Sequence, residues 1–285
     1  MEVFLMEPVI KKKKWPKPIK IIIGILIVAL SIPLIMYLLQ RYGAHMEGQF
    51  VPDYPRVTLT EESDYETIFL QTGLGKEAVD KLLKKGDFEE ILKAQEAFFN
   101  PPEMECTEFL GWFTRMDQIK ERGPDLADLQ PGDILITLST HSLGWHHGHA
   151  ALVIDENTLL ESKVLGTDSM LSYNSGWEKY SNYAVLRVKD TTEEQREELV
   201  EFARNEMVGH PYTLLAGFIG KKAPDIDESY FGVHCSYLVW YVWNYFGYDL
   251  DSDGGRLPTS YDLLHSDKVE IVQVYGMDPR DFIEE

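Results

Sequence analysis

HCSYLVWYVWNYF, residues 234–246, is the stretch that decides the fold of this 285-residue chain. Residues 236–246 are apolar around most of a helical circumference, which predicts a buried helix rather than a surface one. Cys235 lies immediately before this helix, where the positive end of the helix dipole lowers a thiol pKa and favours the thiolate. The free N–H groups of the first turn also point toward any oxygen that develops negative charge there. Cys235 is therefore a candidate nucleophile; the alternative is a buried, inert cysteine.

Short segments rich in β-branched residues surround this helix and predict a sheet. A helix is predicted from about Thr192 to Met207, because Thr191-Thr192 precedes a glutamate-rich turn. Strands next to a buried helix and a separate helical region predict an α+β fold. The predicted strands are ILITL (134–138), HAALVI (149–154), TLLESK (158–163), YAVLRV (183–188) and VEIVQVY (269–275).

A cysteine nucleophile needs a base, and His149 is the candidate because it begins a predicted strand that would hold its orientation. Glu161 lies twelve residues later and is the candidate partner of the imidazole. A hairpin with an odd number of loop residues places His149 and Glu161 on one face of the sheet. An even number places them on opposite faces, so the pairing depends on the turn.

Five motifs follow one another along the chain: PGDILI (131–136), GHAALVI (148–154), GHPY (209–212), CSYLVWYVW (235–243) and LPTSYDLL (257–264). In this order they resemble the circularly permuted branch of the NlpC-type, papain-like cysteine hydrolases, the YiiX-like group. The resemblance covers about residues 129–275 and implies a permuted papain-like domain with a central antiparallel sheet packed on the cysteine-bearing helix. It implies Cys235 as nucleophile, His149 as base, Glu161 as the polar third member and Tyr212 near the oxyanion. His234 departs from the pattern, because the unpermuted family usually has an acidic residue there.

Residues 21–40 contain no charged side chain, and twenty helical residues at ~1.5 Å each span about 30 Å, the thickness of a bilayer core. Six lysines precede this segment, whereas only Arg41 closely follows it. The positive-inside rule then predicts a single-pass cell-membrane protein with a cytoplasmic N-terminus and an extracytoplasmic catalytic domain. A cleaved signal peptide is the alternative, although the apolar run is long and Tyr42 is bulky for a cleavage site.

The sequence predicts five regions. Residues 1–20 form a basic cytoplasmic tail, 21–40 the transmembrane anchor and 41–64 a stalk with Pro52 and Pro55. Residues 65–128 form a helical lead-in, in which Cys106 is expected as a small buried hydrophobe. Residues 129–285 form the catalytic domain.

Charge and ligand patterns limit the partners. The net charge of −20 disfavours nucleic-acid binding, because phosphate contacts need clustered Lys and Arg. No cofactor is predicted. His141, His146 and His149 have usable zinc spacing, but no carboxylate or cysteine near them in sequence completes a set, so no metal is predicted. Asp249-x-Asp251-x-Asp253 matches the opening of a calcium loop, yet Ser260 occupies the twelfth position, which favours a simple turn.

These features predict a membrane-anchored extracytoplasmic cysteine hydrolase that cleaves amide bonds through a thiolate and an acyl-enzyme. The resemblance and the outward-facing anchor point to peptides of bacterial peptidoglycan as substrates. A lipid acyltransferase or lipid-amide hydrolase of the same fold is the enzymatic alternative. A catalytically inactive binding or scaffold module is the alternative from another class.

Overall fold

The computed structural model describes residues 16–38, 49–108, 114–142, 145–229 and 231–283. Helix α1 (Lys17–Leu38) is long and apolar enough to cross a membrane, and Pro33 lies within it. The helix falls where the sequence predicts the anchor. Most of the predicted basic tail and residues 39–48, where the stalk begins, lie outside the described residues.

A six-stranded antiparallel sheet forms the centre of the main domain. Its strands are β3 (Ile134–Thr137), β6 (His149–Asp155), β7 (Thr158–Glu161), β8 (Met170–Tyr173), β9 (Tyr183–Val188) and β10 (Val269–Tyr275). They lie side by side in the order β10-β9-β3-β6-β7-β8. Each strand predicted from the sequence is present, and β8 is an addition.

Helices cover both faces of this sheet, so its strands are apolar on both sides. Helices α5 (Glu193–Glu206) and α6 (Cys235–Tyr245) pack on the face that carries Ile134 and Leu152. Helices α2 (Tyr65–Thr72), α3 (Lys76–Lys85) and α4 (Phe88–Phe99) pack on the face that carries Leu135 and Val153. The short helix α7 (Ser260–Leu264) follows α6. The predicted α+β class with a central antiparallel sheet is confirmed.

Local sequence explains both helices on the α5–α6 face. Thr192 caps α5 and forms a reciprocal capping box with Gln195, which satisfies two N–H groups of the first turn. Helix α6 is buried over nine consecutive residues from its start, including Trp240 and Trp243. These two tryptophans form core, as their apolar context predicts. Helix α6 packs directly on β6, and this contact sets the position of Cys235 relative to His149.

A buried ion pair ties the PGD turn to the sheet. Arg187 on β9 donates to both carboxylate oxygens of Asp133, with Nε–Oδ1 at 2.9 Å and Nη2–Oδ2 at 2.7 Å. Asp133 is fully buried and Arg187 is 4% exposed. The bidentate geometry is the strong form of this interaction, so it holds the start of β3 against its neighbour β9.

The predicted helical lead-in ends earlier than expected. The helical pattern holds through Phe99, but the chain then forms β1 (Met104–Glu108) and β2 (Thr114–Ile119). With β4 (Thr140–Ser142) and β5 (Trp145–His146) they form a four-stranded sheet in the order β1-β2-β4-β5. Cys106 therefore lies on a strand rather than on a helix. Pro101-Pro102 stops the helix, and pairing with β4, which is distant in sequence, stabilises the strands.

Residues 49–64 pack against the domain instead of extending from it as a stalk. The Phe50 N–H donates to the Gly276 carbonyl at 3.1 Å, and the Gln71 amide donates to the Pro55 carbonyl at 3.2 Å. Leu59 is buried with the α2–α4 cluster. The described part of the predicted stalk thus belongs to the folded domain.

Candidate active site

Cys235 is the first residue of α6 and lines a cleft of about 540 Å³. His234 is the N-cap residue, and its Nδ1 accepts a hydrogen bond from the Tyr237 N–H at 3.3 Å. This cap fixes the backbone before the helix, so the thiol lies where the N–H groups of Cys235 and Ser236 have no intrahelical partner. The nucleophile predicted from the sequence therefore has the helix-terminal position that the prediction requires.

The hairpin between β6 and β7 places His149 and Glu161 on one face. Val153 pairs with Leu159, so the five residues 154–158, an odd number, lie between them. The last pair is Asp155 with Thr158, which encloses an even number of residues. A β-bulge between Val153 and Asp155 reconciles the two registers. The His149 Nε2–Glu161 Oε1 distance is 3.0 Å, and both side chains are buried. The structure therefore brings these two predicted residues together.

Three side chains that the sequence argument did not assign hold the Glu161 carboxylate. Trp177 Nε1 donates to Oε1 at 3.2 Å, Ser172 donates to Oε2, and Lys163 Nζ lies 2.8 Å from Oε2. The Trp177 ring also stacks on His149, with ring centroids 5.5 Å apart and planes 22° apart. No sequence signal indicates the contact between Trp177 and the imidazole, because it depends on the chain returning after β8.

The electrostatics of the site favour a thiolate and an imidazolium. Burial alone would raise the pKa of Cys235, but the imidazoles of His149 and His234 outweigh it and lower that pKa well below its usual range. Burial alone would lower the pKa of His149, but hydrogen bonds to Cys235 and Glu161 raise it to about 9. Since Nε2 is bonded to Glu161, Nδ1 is the nitrogen left for the thiol.

The remaining members of the site follow the same pattern. Burial opposes ionisation of Glu161, yet the hydrogen bond to His149 and the charge of Lys163 lower its pKa to about 2. The second cysteine behaves oppositely, because burial and the Asp117 carboxylate raise the pKa of Cys106 to about 11. The two thiols therefore differ in reactivity, and Cys235 is the one suited to nucleophilic attack.

Tyr212 lies beside the segment that leads into α6. It forms a β-bridge with Val233 and lines the same cleft as Cys235. Burial and the nearby Cys235 charge raise its pKa, so its hydroxyl keeps its proton and can donate a hydrogen bond. His234 also lines the cleft, and its Nε2 is buried without a hydrogen-bond partner among the residues that the structure describes.

The histidines whose sequence spacing is compatible with zinc lie in two separate places. His149 is bonded to Glu161, whereas His141 faces His146 on the smaller sheet, with ring centroids 4.7 Å apart. His147 lines the cleft, where burial lowers its pKa. The three-histidine set considered from sequence spacing therefore does not match the contacts that these residues make.

The aspartates that resemble a calcium loop are engaged within the protein. Asp249 accepts from Trp240 Nε1 at 2.7 Å, and Asp251 forms an ion pair with Lys222. Asp253 accepts from the Gly255 N–H at 2.6 Å, a bond internal to the turn. One oxygen each from Asp251, Asp253 and Asp262 also lies within 4.8 Å of the other two, so the simple turn that the sequence favours stays a prediction.

Comparisons with known proteins do not assign the chain to a family. No protein-family model matches the chain, and no curated protein matches it. A solved structure, the metalloprotein YiiX from Escherichia coli O157:H7, is a weak structural neighbour with 17% identity and a TM-score of 0.36. The alignment covers 50% of this chain and 96% of that chain. Similarity at this level decides neither family nor activity, so assignment to the permuted NlpC-type group stays a prediction.

Proposed function

We propose that the protein is a cysteine hydrolase that cleaves an amide through an acyl-enzyme. The observation that carries this proposal is the contact series from Cys235 through His149 to Glu161 at one side of a cleft. A thiol with a lowered pKa, a base and a group that orients the base are the three requirements of nucleophilic catalysis. An inert structural cysteine needs none of them.

The reaction follows from the protonation states. The Cys235 thiolate attacks the carbonyl carbon, the carbon–sulfur bond forms, and the carbonyl π electrons move to oxygen. The oxyanion then collapses, the carbon–nitrogen bond breaks, and His149 Nδ1 donates its proton to the departing amine. In the second half, His149 takes a proton from water, the resulting hydroxide attacks the thioester, and Cys235 leaves as thiolate. Glu161 keeps the imidazole oriented throughout and stabilises its charge whenever His149 holds the second proton.

The oxyanion has donors at hand. The free N–H groups at the start of α6 are aimed at the space beside Sγ, where the helix dipole also favours negative charge. The protonated Tyr212 hydroxyl is a second donor on the same cleft. Loss of one such donor costs about 10²–10³ in kcat in comparable sites.

The surface exposed inside the cleft is mainly apolar, which favours an acyl group with a hydrocarbon portion. Met116 and Leu257 lie among the lining residues, and three more are substantially exposed at the rim: Trp145 (59%), Leu165 (67%) and Leu214 (57%). An apolar ligand removes this surface from water. The lipid-linked amide is therefore the substrate class that the geometry supports better.

Cell-wall peptides are the second candidate. Their carboxylates need cationic partners, and Lys163 is the single Lys or Arg among the described residues that line the cleft. It is 38% exposed and already paired with Glu161. Helix α1 suits either substrate, because a membrane anchor that holds the domain outside the cytoplasm would place the cleft near both lipid and cell wall.

Mass spectrometry of the full chain in detergent micelles tests the proposal. We expect incubation with N-acyl amides of long-chain fatty acids to release the amine and to leave a transient acyl mass on the Cys235 peptide. Cys235→Ser should lose both products, and the Cys106 peptide of the wild-type chain, the internal control for the other thiol, should carry no acyl mass. Turnover of muropeptides alone would select the second candidate. Full turnover by Cys235→Ser would exclude the nucleophile, and no turnover with an unreactive Cys235 would favour the scaffold alternative.

A further inference from the structure

The four-stranded sheet carries four metal-binding side chains on one face. In the register of this sheet, Cys106 on β1 lies opposite Asp117 on β2, and His141 on β4 lies opposite His146 on β5. Arg115, two residues from Asp117, lies opposite His141, which links the two pairs across β2 and β4. Directly opposed residues share a face, as do residues two apart on a strand. Cys106, Asp117, His141 and His146 therefore project from the same face.

We propose that this face binds a zinc ion through Cys106, Asp117, His141 and His146. One thiolate, one carboxylate and two imidazoles are the ligand types that zinc prefers, and four of them complete a tetrahedral site. A closed set of four protein ligands is typical of a structural zinc rather than of a catalytic one.

The distances are close to those required. One ligand atom each from Cys106, Asp117 and His141 lies within 4.8 Å of the other two. His141 Nε2 is 3.3 Å from Asp117 Oδ1, and the ring of His146 lies 4.7 Å from the ring of His141, centroid to centroid. Ligand atoms around tetrahedral zinc are separated by roughly 3.3–3.8 Å, given bond lengths of about 2.0–2.3 Å. Small side-chain movements bring these three ligands to one ion, whereas His146 lies beside His141, outside that group of three, and its ring must turn toward the ion to complete the set.

Burial of the cluster also favours a bound cation. His141 and Asp117 are both fully buried. Zinc bound at Nε2 of His141, the nitrogen that faces Asp117, would place positive charge beside this buried carboxylate. Arg115, which contacts Cys106, is the competing positive charge.

The opposite face of the same sheet lines the candidate active site. Thr114, Met116, Thr140, Ser142 and Trp145 alternate with the proposed ligands along the strands, and each lines the cleft. The proposed zinc therefore lies behind the cleft wall and joins all four of its strands. Its role is to hold that wall, and it takes no part in the acyl-transfer chemistry at Cys235.

Metal analysis of the full chain tests this site independently of activity. The two cysteines of the chain make Cys235→Ser the matched control for Cys106→Ser. We expect about one zinc per chain after purification without chelator, retained by Cys235→Ser and reduced at least tenfold in Cys106→Ser and in His141→Gln. Because Cys106→Ser can fail to fold, cobalt substitution of Cys235→Ser is the second measurement. Cys106 is then the only thiol, and we expect a thiolate-to-cobalt charge-transfer band with tetrahedral d–d absorption.

Every outcome decides the proposal. A charge-transfer band in cobalt-loaded Cys235→Ser supports it, whatever the hydrolysis assays show. Zinc that disappears in Cys235→Ser would place the metal in the cleft and overturn the proposal. No zinc in the wild-type chain and no thiolate–cobalt band in Cys235→Ser would show that Arg115 alone balances the buried carboxylate, and would also overturn it.

Discussion

Replacement of Glu161 by Gln separates the charge of this residue from its shape. The amide keeps an oxygen that can accept from His149 Nε2 and from Trp177, but it removes the carboxylate charge that faces the imidazolium. We therefore expect the fold to persist while the His149 pKa falls. As that pKa falls, the imidazolium stabilises the Cys235 thiolate less, so the pKa of Cys235 rises.

The magnitude follows from the ionisation of Glu161. Its pKa is about 2 against an ordinary 4.5, a net difference of about 3 kcal/mol in favour of the charged form after the cost of burial. Two cations, His149 and Lys163, supply this stabilisation. A share of half to two thirds lowers the His149 pKa by about one to two pH units, from about 9. At pH 7 the imidazolium then stays at least about half populated, so kcat/KM should fall by no more than about twofold there and by roughly 3–25-fold at pH 8.5.

Alkylation by iodoacetamide measures the thiolate without a substrate. The rate at Cys235 is followed by peptide mass spectrometry, which separates it from Cys106. We expect the pH above which Cys235 becomes reactive, which lies well below the ordinary thiol range in the wild type, to move up in Glu161→Gln. Glu178→Gln is the matched control, because Glu178 is also buried and also pairs with a cation, Arg122, at 2.7 Å, but does not line the cleft. Equal shifts in both variants, or none in Glu161→Gln, would refute the reasoning.

The same two groups set a pH dependence of stability. The folded-state pKa of His149 is raised from 6.5, so its stabilising contribution is complete below 6.5 and is lost as pH rises through about 9. The pKa of Glu161 is lowered from 4.5, so its contribution is complete above 4.5 and is lost as pH falls toward 2. Urea unfolding should show both losses in the wild type. In Glu161→Gln the acid limb should flatten; an unchanged acid limb would assign it to other carboxylates.

Three further substitutions test the supports of the site. Trp177→Phe keeps the ring but removes the Nε1 donor to Glu161, so we expect an alkylation shift in the same direction as Glu161→Gln but smaller, and an equal or opposite shift would contradict the assignment. Arg187→Met leaves Asp133 buried without its partner and should cost about 3–5 kcal/mol in urea unfolding, part of which Asp133→Asn should restore. Gly148→Ala places a Cβ 2.5 Å from a backbone oxygen at φ +69°, so we expect a loss of about 1–3 kcal/mol and slower Cys235 alkylation; unchanged stability would exclude strain there.

The central sheet could be predicted from the sequence because its strands are continuous apolar runs between turn residues. HAALVI and YAVLRV are buried on both sides, and burial of that kind leaves little choice of structure for so short a run. The positions of Cys235 and His149 could be predicted for a related reason. Each begins a well-defined element, so its position follows from the element itself.

The other features of the site could not be predicted from the sequence, because they depend on tertiary contacts. The pairing of His149 with Glu161 depends on a bulge, and one extra residue in a strand leaves no clear mark in the sequence. Cys106, Asp117 and His141 come from three separate strands, so no spacing rule connects them. The helical pattern before Phe99 also extended the predicted lead-in too far, because the paired strands that follow it gain stability only from each other.

The order of the elements along the chain has a consequence for synthesis. The candidate base is carried by β6, and the candidate nucleophile comes only with α6, after β9 and α5. During translation, five of the six strands of the central sheet are therefore made before Cys235, and β10 follows it. A nascent chain interrupted before residue 235 contains His149 and Glu161 but lacks the proposed nucleophile. The proposed active site is therefore completed only late in synthesis.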